Sequence, residues 1–279
     1  MTNRTIDTGT DHLLAHVEER VATLTMNRPE RRNAFSGEML AGLARALEEA
    51  ESAHDVGCVV LTGTGAAFSA GGDVKGMNER NTGAGAGGDG GGIDARIHAQ
   101  RLSQRATAGR IYTMPKPVIA ALPGAAAGAG FALAMACDLR IASESAVLLT
   151  SFARVGFSGD YGGTFFATRV VGAARARELY FLSERVSAAE ALRVGLVNRV
   201  VPAGELEKQT RELALRLAHG PAVAYRYMKE NINRAASGAD VFDCLDLEAT
   251  HHVHTGLTED HREAARAFVE KREPTFRGR

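Results

Sequence analysis

Residues 116–138 read KPVIAALPGAAAGAGFALAMACD, a buried-strand pattern joined to a glycine turn and then to an apolar helix. The run from Pro117 to Leu122 is short, apolar and stopped by Pro123-Gly124, as expected of a strand covered on both faces. The stretch 131–137 is apolar on every side, which predicts a buried helix that opens near Gly128-Ala129-Gly130. The first N–H groups of such a helix find no acceptor within it and carry the positive end of its dipole. Small residues let a ligand come close to that main chain, so the turn reads as an anion-binding pocket. The commoner use of a small-residue turn is tight helix packing, and the rest of the chain must decide between the two.

Working outward, Val59-Val60-Leu61-Thr62 reads as a second strand, and residues 63–75 (GTGAAFSAGGDVK) form a second glycine turn that supplies the other half of such a pocket. A dinucleotide-binding turn is a poor alternative. Leu133 stands where a third glycine or alanine belongs, and no acidic residue follows a second buried strand at the required distance. Residues 78–93 (NERNTGAGAGGDGGGI) are glycine-rich and nearly free of apolar side chains. They predict a mobile loop; a phosphate-gripping loop needs a terminal GK[ST] and a following helix.

Composition narrows the function classes. Lysine plus arginine and aspartate plus glutamate are equal at 33 each, so no global basic field marks a nucleic-acid partner. Cys58, Cys137 and Cys244 lie far apart, with no CxxC or His-rich pair to suggest zinc or a disulfide framework. A reducing cytoplasm is the expected location. No apolar run reaches the ~18 to 20 residues needed to span a bilayer, and the polar N-terminus lacks a signal-peptide core. No membrane association is expected.

Residues 13–27 alternate as two strands around a Glu18-Glu19-Arg20 turn. Ser36, with Met39, Leu40, Leu43 and Leu47, predicts an N-capped amphipathic helix. Strands and helices then alternate through Val59, Val118, Leu139 to Ala142 and Val147 to Leu149, which gives an α/β fold. Beyond Val201-Pro202-Ala203-Gly204 the pattern turns helical, at 205–218, 222–236 and 259–271. The expected division is a core over 1–202 and a helical region over 203–279.

The ordered set of motifs resembles the crotonase superfamily, the enoyl-CoA hydratases and isomerases. FSAGGDVK at 68–75 and PGAAAGAGFALAMACD at 123–138 are similar to its two signatures. Met26-Asn27-Arg28-Pro29 with Asn33-Ala34-Phe35, then Tyr161-Gly162-Gly163-Thr164, AEALRVGLVNRVV at 189–201 and the closing 260–272 segment extend the likeness over nearly the whole chain. The resemblance implies a spiral of ββα turns followed by a helical segment that packs in a homotrimer or a dimer of trimers. It implies an acyl-CoA thioester as substrate and no separate cofactor, coenzyme A being part of the substrate. The oxyanion hole should be the backbone amides of Gly72 and Ala129, which stabilise the enolate where its charge develops. The adenine should lie near Ala70 to Val74, a stretch that includes Asp73, with Ala34 in the same binding region and Arg28, Arg31 or Arg32 near the phosphates. Phe268 and Lys271 should reach the nucleotide from a neighbouring subunit. Each of those arginines has an equal reading as part of a solvated turn. The glycine-rich loop at 78–93 borders the acyl pocket in the family.

The acid–base residues depart from the hydratase pattern. Where family hydratases carry two glutamates, this chain has Ala132 and Phe152. Neither transfers a proton, so two-glutamate hydration is not expected. Asp160, in Ser158-Gly159-Asp160-Tyr161-Gly162-Gly163, matches the catalytic aspartate of some family isomerases and of the aryl-CoA dehalogenases. One carboxylate facing the α and γ carbons suffices to move a double bond. Phe152 and Phe157 are expected to line an apolar pocket that strengthens it as a base. The opposing reading makes Asp160 an N-cap or turn residue before a helix over 164–171. Tyr161 reads as a core or interface tyrosine, with a hydrogen bond to substrate or Asp160 as the alternative, and Arg154 stays undecided. His251, His252 and His254 cluster, yet no third ligand is evident, and surface or trimer contacts are expected of them. Isomerase, atypical hydratase and catalytically silent acyl-CoA-binding protein remain the three readings. A dehalogenase route would need a histidine base that the sequence does not place.

Overall fold

Alternation at 13–26 becomes an antiparallel pair, β2 (Leu13–Glu18) and β3 (Val21–Met26), in which every second side chain of β2 is buried. The computed structural model describes residues 3–74, 76 and 92–279. The expected loop at 78–93 lies outside the described residues except for its last two positions. Those two belong to a helix start: Gly92 precedes α2 (Ile93–Gln104) and Ile93 is its first residue.

A short β1 (Asn3–Thr5) pairs with β2. The apolar runs become parallel strands β4 (Cys58–Gly63), β6 (Val118–Leu122) and β8 (Leu139–Ser143). With β11 (Arg199–Val201) they complete a seven-stranded sheet in the order β1-β2-β3-β4-β6-β8-β11, parallel from β3 onward. A second sheet runs β10-β9-β7-β5, from β5 (Ala67–Ser69), β7 (Ala125–Ala127), β9 (Val147–Leu149) and β10 (Val186–Ser187). Each of β4, β6 and β8 is thus followed by a short strand in the other sheet and then by a helix. That is the ββα spiral.

The helices close the layers. α1 (Gly37–Ser52) is capped by Ser36, whose hydroxyl accepts from Met39 N–H, and buries Met39, Leu43 and Leu47. α2 runs on through a wider turn at Arg105–Gly109 into α3 (Arg110–Thr113). All eight residues of α4 (Ala129–Ala136) are buried, and its two largest, Phe131 and Leu133, contribute roughly 1.5–3 kcal/mol each through burial. α5 (Gly163–Leu182) breaks at Gly172, whose φ of 76° and ψ of 162° are not helical, so its first half ends where the sequence pattern placed an end. α6 (Ala188–Arg193) leads into β11.

α7 (Leu206–Ala218) lays Leu206, Ala214 and Ala218 on Val21, Cys58, Val60, Ile119 and Ile141. It covers the other face of the large sheet, although it lies beyond the expected boundary near residue 202. α8 (Ala222–Ala236) has no buried residue, α9 (Val241–Gly256) buries only His251, and α10 (Glu259–Glu270) buries Asp260 and Ala267. Lys229 pins α8 to the core. Its Nζ donates to Asp138 Oδ2 at 2.9 Å and to Ile111 O at 2.8 Å, and Asp138 Oδ2 also accepts from Val118 N–H at 2.7 Å.

Candidate active site

The two glycine turns meet at the N-terminus of α4. Gly71 has φ +80°, and a Cβ placed there would lie 2.5 Å from Ala127 O and 2.9 Å from Ala129 N, so only glycine gives both the backbone conformation and the approach. The turn is held from all sides. Gly71 O accepts from Phe35 N–H at 2.7 Å, Gly71 N–H donates to Ser69 Oγ at 3.1 Å, and Ser69 Oγ donates to Asn33 O at 2.7 Å. Gly128 N–H is likewise taken, by Leu149 O at 3.1 Å. Among the described residues no acceptor takes the N–H of Gly72 or of Ala129. Both N–H groups are thus left without an acceptor, that of Ala129 at the positive end of a buried helix.

Asp160 approaches from the loop between β9 and α5. It does not cap the helix: Gly162 occupies the cap position, and Gly163 N–H donates to the main-chain oxygen of Asp160 at 3.0 Å. The carboxylate Oδ1 is shielded and takes no hydrogen bond from the described residues. Burial pushes the carboxyl up to about 6, because a charged carboxylate is disfavoured where water is excluded and no donor replaces it.

Tyr161 joins the two halves. Its ring meets Phe35 edge-on at 5.7 Å, its N–H donates to Gln104 Oε1 at 3.0 Å, and its hydroxyl sits 3.3 Å from Ser103 Oγ. It is a core residue, and Phe35, which it touches, is also the residue that holds Gly71. Phe152 is buried and stacks on Tyr180 at 5.8 Å between ring centres. A cavity of about 470 Å³ is lined by Phe152, Phe157, Thr164, Tyr180 and Phe181 among others. Phe157 is 57% exposed and forms its rim rather than its floor.

Tyr180 is the residue that the sequence reading missed. It belongs to the second half of α5, in no motif, and its hydroxyl is buried without a partner like the oxygen of Asp160. A Cβ on Gly163 would lie 2.4 Å from that hydroxyl and 2.8 Å from the Ala132 methyl. Tyr180, Ala132 and the Asp160 loop thus converge on one point.

The expected coenzyme A residues divide. Arg28 is turned inward: Nη1 donates to Ala34 O at 2.8 Å, Nη2 reaches Asp73 Oδ2 at 3.4 Å, and Nε is buried with no partner among the described residues. It is not part of a solvated turn. Asp73 is held below the usual carboxylate range, first by Gly76 N–H and then by Arg28. Arg31 is half-buried, Arg32 and Val74 are exposed, Ala34 is buried and Ala70 half-buried. Phe268 is 85% exposed on α10, and Lys271 caps that helix in a left-handed conformation. Arg154 is exposed.

His251 is a contact between helices within the chain, stacked on Tyr227 at 4.1 Å with Nδ1 2.6 Å from Asn231 Oδ1, while His252 and His254 are exposed. Among the described residues no group of three His, Cys, Asp or Glu is placed to hold a metal ion, and no helix is long and apolar enough to cross a membrane.

The family model for enoyl-CoA hydratase/isomerase matches residues 16–279. The 1,2-epoxyphenylacetyl-CoA isomerase of Escherichia coli K12 is 38% identical over 96% of this chain and 99% of its own. The short-chain-enoyl-CoA hydratase of Clostridium acetobutylicum is 35% identical over 94% of this chain and 96% of its own. An enoyl-CoA hydratase from Polaromonas sp. JS666, whose crystal structure is known, superposes with a TM-score of 0.86 at 35% identity, over 95% of this chain and 99% of the other. The ββα spiral, the paired glycine turns and these matches agree, and the chain belongs to the enoyl-CoA hydratase/isomerase family of the crotonase superfamily.

Proposed function

We propose that the protein isomerises the double bond of an enoyl-CoA thioester, with Asp160 as its single acid–base group. The observation that carries this reading is the half-buried carboxylate of Asp160, whose shielded Oδ1 takes no hydrogen bond from the described residues and whose pKa burial raises to about 6, in a site whose two glutamate positions hold Ala132 and Phe152. The thioester oxygen accepts from Gly72 and Ala129 N–H. Asp160 takes a proton from the α carbon, the electron pair moves onto the thioester oxygen as an enolate, and the two N–H groups stabilise the charge as it forms. The same carboxyl returns its proton to the γ carbon, and the double bond has moved into conjugation. No water enters the balance.

Coenzyme A is the carrier of the acyl group, stays bonded to it throughout, and no further cofactor is needed. Arg31 and Arg32 supply cations for its phosphates, whereas Arg28, tied to Ala34 and Asp73, shapes the turn beside the adenine at Ala70 to Val74. The exposed apolar side chains Ile232, Phe242, Leu245, Val253 and Phe268 on α8 to α10 fit a trimer in which Phe268 and Lys271 reach a neighbour's nucleotide.

The test follows conjugation spectroscopically with a 3-enoyl-CoA and a 2-enoyl-CoA, in wild type and Asp160→Asn. Isomerisation requires conjugation to appear from the 3-enoyl substrate and to slow by roughly 10²–10⁴-fold in the variant, with thioester binding kept. Loss of conjugation from the 2-enoyl substrate would instead establish an atypical hydratase, the activity named for the Clostridium relative. Tight binding without turnover of either would leave a silent acyl-CoA-binding protein.

A further inference from the structure

The Gly72 N–H can serve a thioester oxygen only if the peptide that carries it is held still. It shares a planar trans peptide with Gly71 C=O, so the two groups point in opposite directions. Phe35 N–H fixes Gly71 O at 2.7 Å, and the Gly72 N–H is thereby turned the other way. The preceding peptide is fixed by a side chain. Gly71 N–H donates to Ser69 Oγ at 3.1 Å, and the single hydroxyl proton of Ser69 is committed to Asn33 O at 2.7 Å. With both flanking peptides anchored, Gly71 keeps its φ of +80° and the next N–H keeps its aim.

Asn33 is held in turn. It and Ser69 are both fully buried. Asn33 Oδ1 accepts from Arg28 N–H at 2.9 Å, and Nδ2 donates to Thr64 O at 3.0 Å and to Ala67 O at 2.8 Å. The other side of Ser69 faces the second glycine turn, since a Cβ on Gly130 would lie 2.7 Å from Ser69 Cβ and 2.9 Å from its Oγ. One small side chain therefore ties the first turn to the loop before α1 and packs against the first residues of α4. Alanine in its place would keep that packing and lose both hydrogen bonds, leaving the buried Gly71 N–H without its acceptor.

We propose that Ser69 is a positioning residue for the oxyanion hole: its hydroxyl, bridging Asn33 O and Gly71 N–H, sets the direction of the Gly72 N–H. The inference rests on the thioester oxygen lying at Gly72 and Ala129 as proposed above. It does not depend on which residue moves the proton.

The experiment reads the bound carbonyl itself. Butyryl-CoA, labelled with carbon-13 at the thioester carbonyl, has no double bond to move or hydrate. Its carbonyl stretch is recorded by infrared difference spectroscopy, free and bound to wild type, Ser69→Cys and Ser69→Ala. Two aligned donors should lower the stretch in wild type. The downshift should shrink by about half in Ser69→Ala, where one of the two donors loses its aim. Ser69→Cys should fall between, because a thiol is the weaker donor and acceptor. The rate on the enoyl-CoA that wild type converts should fall in the same order, by roughly 10- to 100-fold in Ser69→Ala and mainly in kcat. A serine that only stabilises the fold would lower the unfolding temperature and leave the bound stretch at its wild-type value. That result in the variants overturns the proposal. Should Ser69→Ala fail to fold, the stretch in Ser69→Cys decides alone. A wild-type complex with no downshift overturns the oxyanion reading, and this proposal with it.

Discussion

At the glycine turns Gly71 and Gly128 are held by hydrogen bonds, and among the described residues the N–H groups of Gly72 and of Ala129, the latter at the start of a buried helix, find no acceptor. Around Asp160, among the described residues, the buried atoms without a partner belong to side chains, Asp160 Oδ1 and the Tyr180 hydroxyl. The first region is built of main chain, and glycine is required where its turns approach each other, as at Gly71. The second depends on the identity of single side chains. The chain keeps the fold of enoyl-CoA hydratases with Ala132 and Phe152 where family hydratases are expected to carry glutamates.

The comparison is broken most severely at Ala129. Ala129→Pro deletes one N–H at the first position of α4, where proline is otherwise tolerated in a helix. The rate on a 3-enoyl-CoA should fall roughly 10²–10³-fold, while a thermal unfolding scan should move little. A large loss of stability with no specific loss of rate would mean that the N–H serves the fold instead.

The pH dependence sharpens the other region. With Asp160 near 6, the base form is lost as pH falls, so kcat/KM should drop about tenfold per unit below that value and level off above it. A profile that is flat down to pH 5 would remove Asp160 from the proton transfer.

The smallest effect is on stability. The Asp160 carboxyl rises from 3.8 to about 6 on folding, so between those values the folded state holds more protons than the unfolded one. Stability therefore falls as pH rises through that window, and the full penalty is present above about pH 6. Asp160→Asn should stabilise the protein at pH 8 by roughly 1–2 kcal/mol, allowing for partial solvent screening. The gain should shrink as the pH is lowered toward 4, a trend that denaturant titrations at three pH values would show or refute.

Much of this architecture is legible in the residues. The apolar runs at β4, β6 and β8, the Ser36 cap and the apolar α4 announce themselves, because each has a local cause. β5, β7 and β10 do not. They are two or three residues long, largely alanine and serine, and exist only through pairing, β5 with β7 and both β7 and β10 with β9. The amphipathic stripe of α7 is readable, but a stripe does not say which surface it covers. Arg28 lies in a turn that looks solvated, and Asp73, 45 positions later, draws it inward. Of the site, the glycine turns and Asp160 could be matched by motif. Tyr180 could not, since its importance comes from the packing of Phe152 and Gly163 around it.

Lys229 gives the C-terminal helices a role that their exposure conceals. Its ammonium lies against Asp138, two residues past the end of α4, and against carbonyls from the stretch before β6. The front of that same helix bears Ala129. Cutting the chain after Ala218 would leave a carboxylate in the interior without its counter-charge, directly behind the pocket. The residues after Ala218 are therefore tied into the core directly behind α4, despite their exposure.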